Sequence, residues 1–222
     1  ELKNQSDWDI VSREVDGFDI TDTDTYYLMT EIFHGVAQAM PYDVIINCIA
    51  NTDTYSNDKE AHWNVNYKGT ADLVDFCNKW NVKLIHISTD YVYANSDNLA
   101  SENSVPVHCN NWYGYTKLLS DGHVQLTSND YMLIRCTHKP TPFQYEEAWI
   151  DQVGNFDYVN NIAKIITTLI NKNCTGVYNI GTDLKTMYEL GCETKEDVTP
   201  SLRPTHVPCN LSMDLTKMKK VL

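Results

Sequence analysis

Four nearly continuous apolar runs, each of strand length and rich in β-branched residues, alternate along this chain with segments of helical period. The runs cover residues 42–50, 82–88, 131–136 and 176–180. A strand buried on both faces reads as such a run, because neither face needs polar residues. Between them, 26–40, 60–80, 113–126 and 158–171 carry helical spacing, and in the second Ala61, Val65, Ala71, Leu73, Val74 and Cys77 fall largely on one face. A shorter run, 8–12, is expected as a further strand. Strand-helix alternation of this kind predicts βαβ units, and so an α/β fold with a doubly wound parallel sheet covered on both faces. Two stretches rich in Pro, Thr and charge, 137–156 and 182–208, break the rhythm and suit loops or a small lobe over the sheet edge. At roughly 100–200 residues per domain, 222 residues predict a single domain, 1–222.

Charge narrows the function. With 17 Lys+Arg against 30 Asp+Glu the net charge is −13, which argues against nucleic acid as a partner, since neutralising phosphates takes clustered cations. It equally disfavours an anionic membrane surface, and no apolar run reaches the ~18 residues of a spanning helix. The seven cysteines are scattered singly, without C-x-x-C or zinc spacing. That pattern predicts reduced thiols, no metal centre and a cytoplasmic protein.

Ligands of open parallel sheets bind outside the carboxyl ends of the strands, where this chain places Asn51-Thr-Asp53, Ser88-Thr-Asp-Tyr91 and Cys136-Thr-His138. Just downstream, Tyr113-Gly-Tyr-Thr-Lys117 opens a helical segment. Tyr113 and Lys117, at i and i+4, project from one helix face. A phenol of pKa ~10 is a poor acid at neutral pH, but an ammonium one turn away stabilises the phenolate; lowering the pKa by three units takes about 4 kcal/mol. With a hydroxyl from the neighbouring strand end, the group makes a proton-relay site for interconverting a carbonyl and an alcohol.

In order along the chain stand Asn47-Cys-Ile-Ala-Asn51, Val65-Asn-Tyr-Lys-Gly-Thr70, Ile87-Ser-Thr-Asp-Tyr-Val-Tyr93, Tyr113-Gly-Tyr-Thr-Lys117, Asp151-Gln-Val-Gly154, and Arg203-Pro followed by Asn210-Leu-Ser-Met-Asp-Leu-Thr-Lys217. Together they resemble the extended short-chain dehydrogenase/reductases of the NAD-dependent epimerase/dehydratase superfamily, and within them the dTDP-4-dehydrorhamnose reductase branch. The resemblance implies a Rossmann-like fold and an oxidoreductase that reduces the 4-keto group of a nucleotide-linked 6-deoxysugar. It implies that Tyr113 is the proton donor, that Lys117 binds the nicotinamide ribose, and that Thr89 is the catalytic hydroxyl beside Ser88. Asp19 and Ile20 match the segment against the adenine, Ala50 and Asn51 the loop along the ribose and phosphates, and Asn66 a helix asparagine supporting the site, with surface polarity as the competing reading. Arg13 follows the 8–12 run where the family discriminates cofactors; a guanidinium suits the 2′-phosphate of NADP over the 2′-hydroxyl of NAD, with a solvated Arg beside Glu14 as the alternative. The cofactor is thus NADP or NAD, with NADP favoured. Thr89, Asp90, Tyr91 and His138 are the expected substrate contacts, and 137–157 with 182–213 the expected substrate lobe. The partner is a nucleotide-sugar substrate, and a homodimer stays open.

Two departures stand out. The family's Gly-x-x-Gly-x-x-Gly turn, which holds the pyrophosphate at a helix N-terminus, has no counterpart. Residues 1–4 read as the tail of the helix that follows it, so the N-terminal strand and glycine turn are expected to be missing from the sequence, and cofactor binding to be weak without them. After Arg135 the chain reaches Asp151 quickly, and His138 stands where the branch carries an aromatic residue. A nucleotide-sugar epimerase therefore remains an alternative, as does a non-catalytic regulatory relative similar to the methionine adenosyltransferase beta subunit. A 4,6-dehydratase is disfavoured, because Asp90 is followed by Tyr91 rather than a second acid.

Overall fold

A computed structural model of the chain describes residues 8–26, 42–96, 99–104 and 111–222. Its central element is a four-stranded parallel sheet in the order β1-β2-β3-β8, formed by Val44–Asn47, Lys83–Thr89, Tyr131–Cys136 and Gly176–Asn179. The predicted strands fall on these four within a few residues at each end. β1 and β2 pair in parallel with Asn47 opposite His86. β1 is shorter than its apolar run because the Asn47 side chain takes over from the ladder, its Oδ1 accepting the Ile49 amide at 3.0 Å.

Residues 8–12, expected as a strand, carry none. Ser12 instead starts a one-turn helix, α1 (Arg13–Asp16): its hydroxyl accepts the Val15 amide, and its own amide donates to Asp16 Oδ2 at 2.8 Å. A side-chain cap that takes up backbone groups locally leaves nothing for a ladder. The expected helix tail at 1–4 and most of the expected helix at 26–40 lie outside the described residues.

The helical segment predicted at 60–80 runs from 59 to 80 in three parts. Asp58 caps α2 (Lys59–His62) by accepting the Ala61 amide at 3.0 Å; a π-helical stretch, Trp63–Lys68, follows, and then α3 (Gly69–Trp80). Asn81, left-handed at φ 55°, ends it. The wider turn shifts the facing of the residues by one position, and it brings Asn66 into the interior.

The chain divides into two compact units. One comprises Leu2–Ile87 and Asn111–Leu133, the other Ser88–Asn110 and Ile134–Leu222. In the first, Leu73, Val74 and Cys77 of α3, Leu84 and Ile85 of β2, and Val124 of α4 (Trp112–Thr127) are buried. Each such aliphatic side chain contributes about 1.5–3 kcal/mol by leaving water. Gly69 matters here because a Cβ on it would stand 2.8 Å from the Ile20 carbonyl oxygen. Only a residue lacking that atom lets the Asp19–Ile20 segment lie on the helix.

In the second unit, α5 (Val159–Asn171) buries Ile162, Ala163, Ile166 and Leu169 along one stripe. The segments expected as loops or a lobe contain short elements: β4 (His138–Lys139), β5 (Glu147–Trp149), β6 (Val153–Gly154), β9 (Lys185–Thr186), α6 (Met187–Cys192) and β10 (Thr199–Ser201). β10 pairs with β5 in parallel, and β6 with β9 antiparallel. They enclose a core of their own, in which Phe143, Ala148, Phe156, Met187, Leu190 and Val198 pack together. Among the described residues, no helix is long and apolar enough to cross a membrane.

Candidate active site

Tyr113 and Lys117 both lie on α4, a turn apart, and the helix begins where the sequence places it because Asn111 Oδ1 accepts the Gly114 amide at 2.7 Å. Lys117 is buried, 1% exposed, and its Nζ is held at the carboxyl end of β2. Nζ donates to the Ile87 carbonyl at 2.8 Å and lies 3.1 Å from His86 Nε2. His86 is fully buried; burial, with Lys117 adding to it, holds its pKa well below the usual imidazole range, so the ring is neutral. Its Nδ1 lies 3.2 Å from Asn47 Nδ2, and its Nε2 lies 3.4 Å from Ser120 Oγ.

Tyr113 has a second neighbour. The ring of His62, also fully buried, meets it edge-on with centroids 6.5 Å apart.

The loop after β1 is pinned by Asn66. Its Oδ1 accepts the Asn51 amide at 2.7 Å, while Nδ2 reaches the Asn51 carbonyl and Thr116 Oγ1, both at 3.2 Å. Asn66 is fully buried, which sets aside the surface-polarity reading. This one amide clamps Ala50–Asn51 to α4, the helix that carries Tyr113 and Lys117. Further along the same unit, Asp19 accepts from the Thr21 amide and hydroxyl, at 2.9 and 2.8 Å. Those bonds, with the Arg13 guanidinium adding to them, hold its carboxyl below the usual carboxylate range. Arg13 pairs with Asp19 at 3.1 Å and keeps 76% of its side chain exposed.

The remaining predicted residues belong to the other unit. Thr89 caps the turn that follows β2: its hydroxyl accepts the Tyr91 amide at 3.2 Å and donates to Asp90 Oδ1 at 3.3 Å. Asp90 is fully buried, and burial pushes its carboxyl up to about 6 against the hydrogen bond from Thr137 Oγ1, at 2.5 Å, and that from Thr89. Among the described residues, Asp90 Oδ2 and the buried Ser88 hydroxyl have no hydrogen-bond partner. Tyr91 is half-buried, and His138 is exposed on β4, opposite Asp157 of β7 (Asp157–Tyr158). Two buried polar groups left unpaired by the described residues are what a polar ligand would satisfy.

Sequence reasoning did not single out Asn47, His62, His86, Thr116 and Ser120. The signal for His86 was present, as an ionisable residue flanked by isoleucines in the middle of a largely apolar strand run. Ser120 and Thr116 carry no comparable mark, because a hydroxyl at helical spacing looks the same whether buried or wet.

The sheet order and the helices beside it are those of the Rossmann-like α/β class. The chain belongs to the RmlD substrate binding domain family, which matches residues 1–138. It is 35% identical over 99 residues to a dTDP-4-dehydrorhamnose reductase of Mycolicibacterium smegmatis, covering 42% of this chain and 29% of that protein. It is 29% identical over 120 residues to a probable low-salt glycan biosynthesis reductase of Haloferax volcanii, covering 53% of this chain and 37% of that protein. The matched segments thus span well under half the length of these curated relatives. Among solved structures, the dTDP-4-dehydrorhamnose reductase of Bacillus anthracis in complex with NADP superposes with a TM-score of 0.79 at 20% identity, over 98% of this chain and 85% of that one. That likeness shows the fold.

Proposed function

We propose that this protein is an NAD(P)H-dependent reductase of a nucleotide-linked 4-keto-6-deoxysugar, with Tyr113 as the proton donor. The observation that carries the reading is the Tyr113–Lys117 pair on α4, with Lys117 Nζ buried and anchored on the Ile87 carbonyl. A buried lysine held one turn from a tyrosine has no use as a solvated surface pair; it supplies charge to whatever meets the phenol.

The residues fit a dinucleotide in character. Lys117 offers N–H groups to ribose hydroxyls, the Asn66-pinned loop presents Ala50 and Asn51, and Arg13, mostly exposed, is suited to a 2′-phosphate. Asp19 and Ile20 would flank the adenine. When bound, the reduced nicotinamide supplies a hydride. Tyr113 donates its phenolic proton to the oxygen that the reduction makes anionic, and Lys117 in its charged form stabilises the phenolate left behind. Thr89 would hold the substrate carbonyl oxygen through Oγ1; its present bond to Asp90, at 3.3 Å, is long and easily exchanged. Ser88, Asp90, Tyr91 and His138 would contact cofactor or sugar, and 137–157 with 182–213 would form the substrate lobe. The names of the relatives support the same substrate class.

The test is oxidation of NADPH and of NADH by the purified protein in the presence of dTDP-4-dehydrorhamnose, with Tyr113→Phe as control. The reading expects turnover that the variant loses. Equal turnover by both proteins would overturn it.

A further inference from the structure

The hydrogen bonds behind Lys117 have a direction that can be worked out donor by donor. Asn47 Oδ1 is committed to the Ile49 amide at 3.0 Å, so the Nδ2 amide faces the other way. Thr70 Oγ1 gives its proton to the Asn66 carbonyl at 2.9 Å, which leaves it to accept from Asn47 Nδ2 at 3.4 Å. Asn47 Nδ2 is therefore a donor, and His86 Nδ1, 3.2 Å away, must be the acceptor. A neutral imidazole that accepts at Nδ1 carries its proton on Nε2. Two groups stand within reach of that N–H, Lys117 Nζ at 3.1 Å and Ser120 Oγ at 3.4 Å. An ammonium has no lone pair to offer an N–H; a neutral amine does. Ser120 has already given its proton to the Lys117 carbonyl at 2.8 Å, so its oxygen is open to accept.

We propose that His86 and Ser120 form a two-position switch for the protonation of Lys117, in which His86 Nε2–H donates to Lys117 Nζ as the neutral amine and passes to Ser120 Oγ when Lys117 becomes the ammonium. His86 and Ser120 are positioning residues, acting through Lys117; the role rests on the proposed reductase reading, in which Lys117 must be charged beside Tyr113. A ligand oxygen that accepts from Lys117 favours the ammonium, and the added proton comes from bulk water. The neutrality of His86 follows from its burial. Other titratable groups bearing on Lys117 are Tyr113 one turn before it and Asp121 one turn after it on α4, and Cys48 after β1, whose thiol Lys117 draws down against the desolvation that raises it.

The test needs no cofactor. Nitrogen NMR of the imidazoles in the wild-type protein reads the tautomer of His86 directly, with His86→Phe assigning the signal. The proposal expects a proton on Nε2 and none on Nδ1. Lysine-labelled protein then reports the titration of Lys117 through its side-chain carbon signal, assigned by its loss in Lys117→Arg. Ser120→Ala removes the second acceptor and should lower the titration midpoint of Lys117; His86→Phe removes the donor that holds the amine and should raise it. Each shift should be on the order of half to one pH unit, the size of one net hydrogen bond. Opposite shifts support the switch, since loss of packing alone has no reason to give them. A proton on His86 Nδ1, or shifts of the same sign or of no size, overturns it. Reductase turnover is measured alongside. A protein with the expected tautomer and opposed shifts but no turnover would sink the reductase reading alone, and turnover with the wrong tautomer would sink the switch alone.

Discussion

Asp90 should make this protein less stable as pH rises through the range where most acidic proteins gain stability. Its carboxyl is fully buried and pushed up to about 6 from an ordinary 3.8. A group whose folded-state pKa is raised binds its proton more tightly when folded, so between the two values the folded state holds more protons and stability falls with pH. A shift of about 2.2 units at ~1.36 kcal/mol each comes to roughly 3 kcal/mol lost above pH 6, of which about 2 kcal/mol develops between pH 4.5 and 7.5. Asp90→Asn removes the titration and keeps an oxygen for Thr137 and Thr89. Its amide nitrogen would sit where Oδ2 has no partner, adding a constant offset that does not change with pH. The measurement is urea unfolding of both proteins at half-unit steps from pH 4.5 to 7.5, read as the difference between them. That difference should move by about 2 kcal/mol in favour of the variant as pH rises, all other titrations cancelling. Parallel stability curves would refute the reasoning and mean that Thr137, Thr89 and Lys139 neutralise the cost of burial.

Three further outcomes follow from the geometry. Tyr113→Phe should cut kcat by a hundredfold or more, the usual scale for a lost general acid, while NADPH affinity measured by calorimetry stays within about twofold, because the lost hydroxyl acts in the transition state. Asn66→Ala should cost about 1–3 kcal/mol by unpairing the Asn51 amide and carbonyl; hydrogen exchange at the Asn51 amide should accelerate more than at neighbouring strand amides, and an unchanged rate would mean that the clamp is idle. Gly69→Ala should destabilise by about 1–2 kcal/mol, since overpacking against the Ile20 carbonyl outweighs the gain in helix propensity; thermal unfolding that moved upward would show that the Asp19–Ile20 segment gives way.

The parts of the fold legible in the sequence were those where one physical signal dominates. The four sheet strands announced themselves because their runs are largely apolar and β-branched, and their order of appearance with helices between them points to parallel pairing. Residues 8–12 misled for the converse reason. Five residues with an isoleucine and a valine have strand composition, but Ser12 and Asp16 offer the backbone a cap within the same few residues, and the local bonds win. Segments 137–156 and 182–208 looked irregular because strands of two or three residues carry no period. Their cohesion comes from contacts far apart in sequence, such as Glu147–Trp149 with Thr199–Ser201.

The candidate site divides along the same line. Tyr113 and Lys117 could be read because helical spacing alone puts them side by side. The residues that hold Lys117 could not, because what matters about His86, Asn47, Thr70 and Ser120 is the direction in which each gives its proton. That direction is decided by bonds made elsewhere: the Ile49 amide fixes Asn47, and the Asn66 carbonyl fixes Thr70. Asn66 itself reaches the interior through a π-helical turn that no count of apolar positions at 3.6-residue spacing anticipates. One wide turn thus does two things at once. It seats the amide that pins the loop after β1, and it ties that loop to Thr116 of α4. Widened turns inside α-helices often mark functional positions. Here the physical reason is visible, since an unbroken α-helix would turn Asn66 to another face.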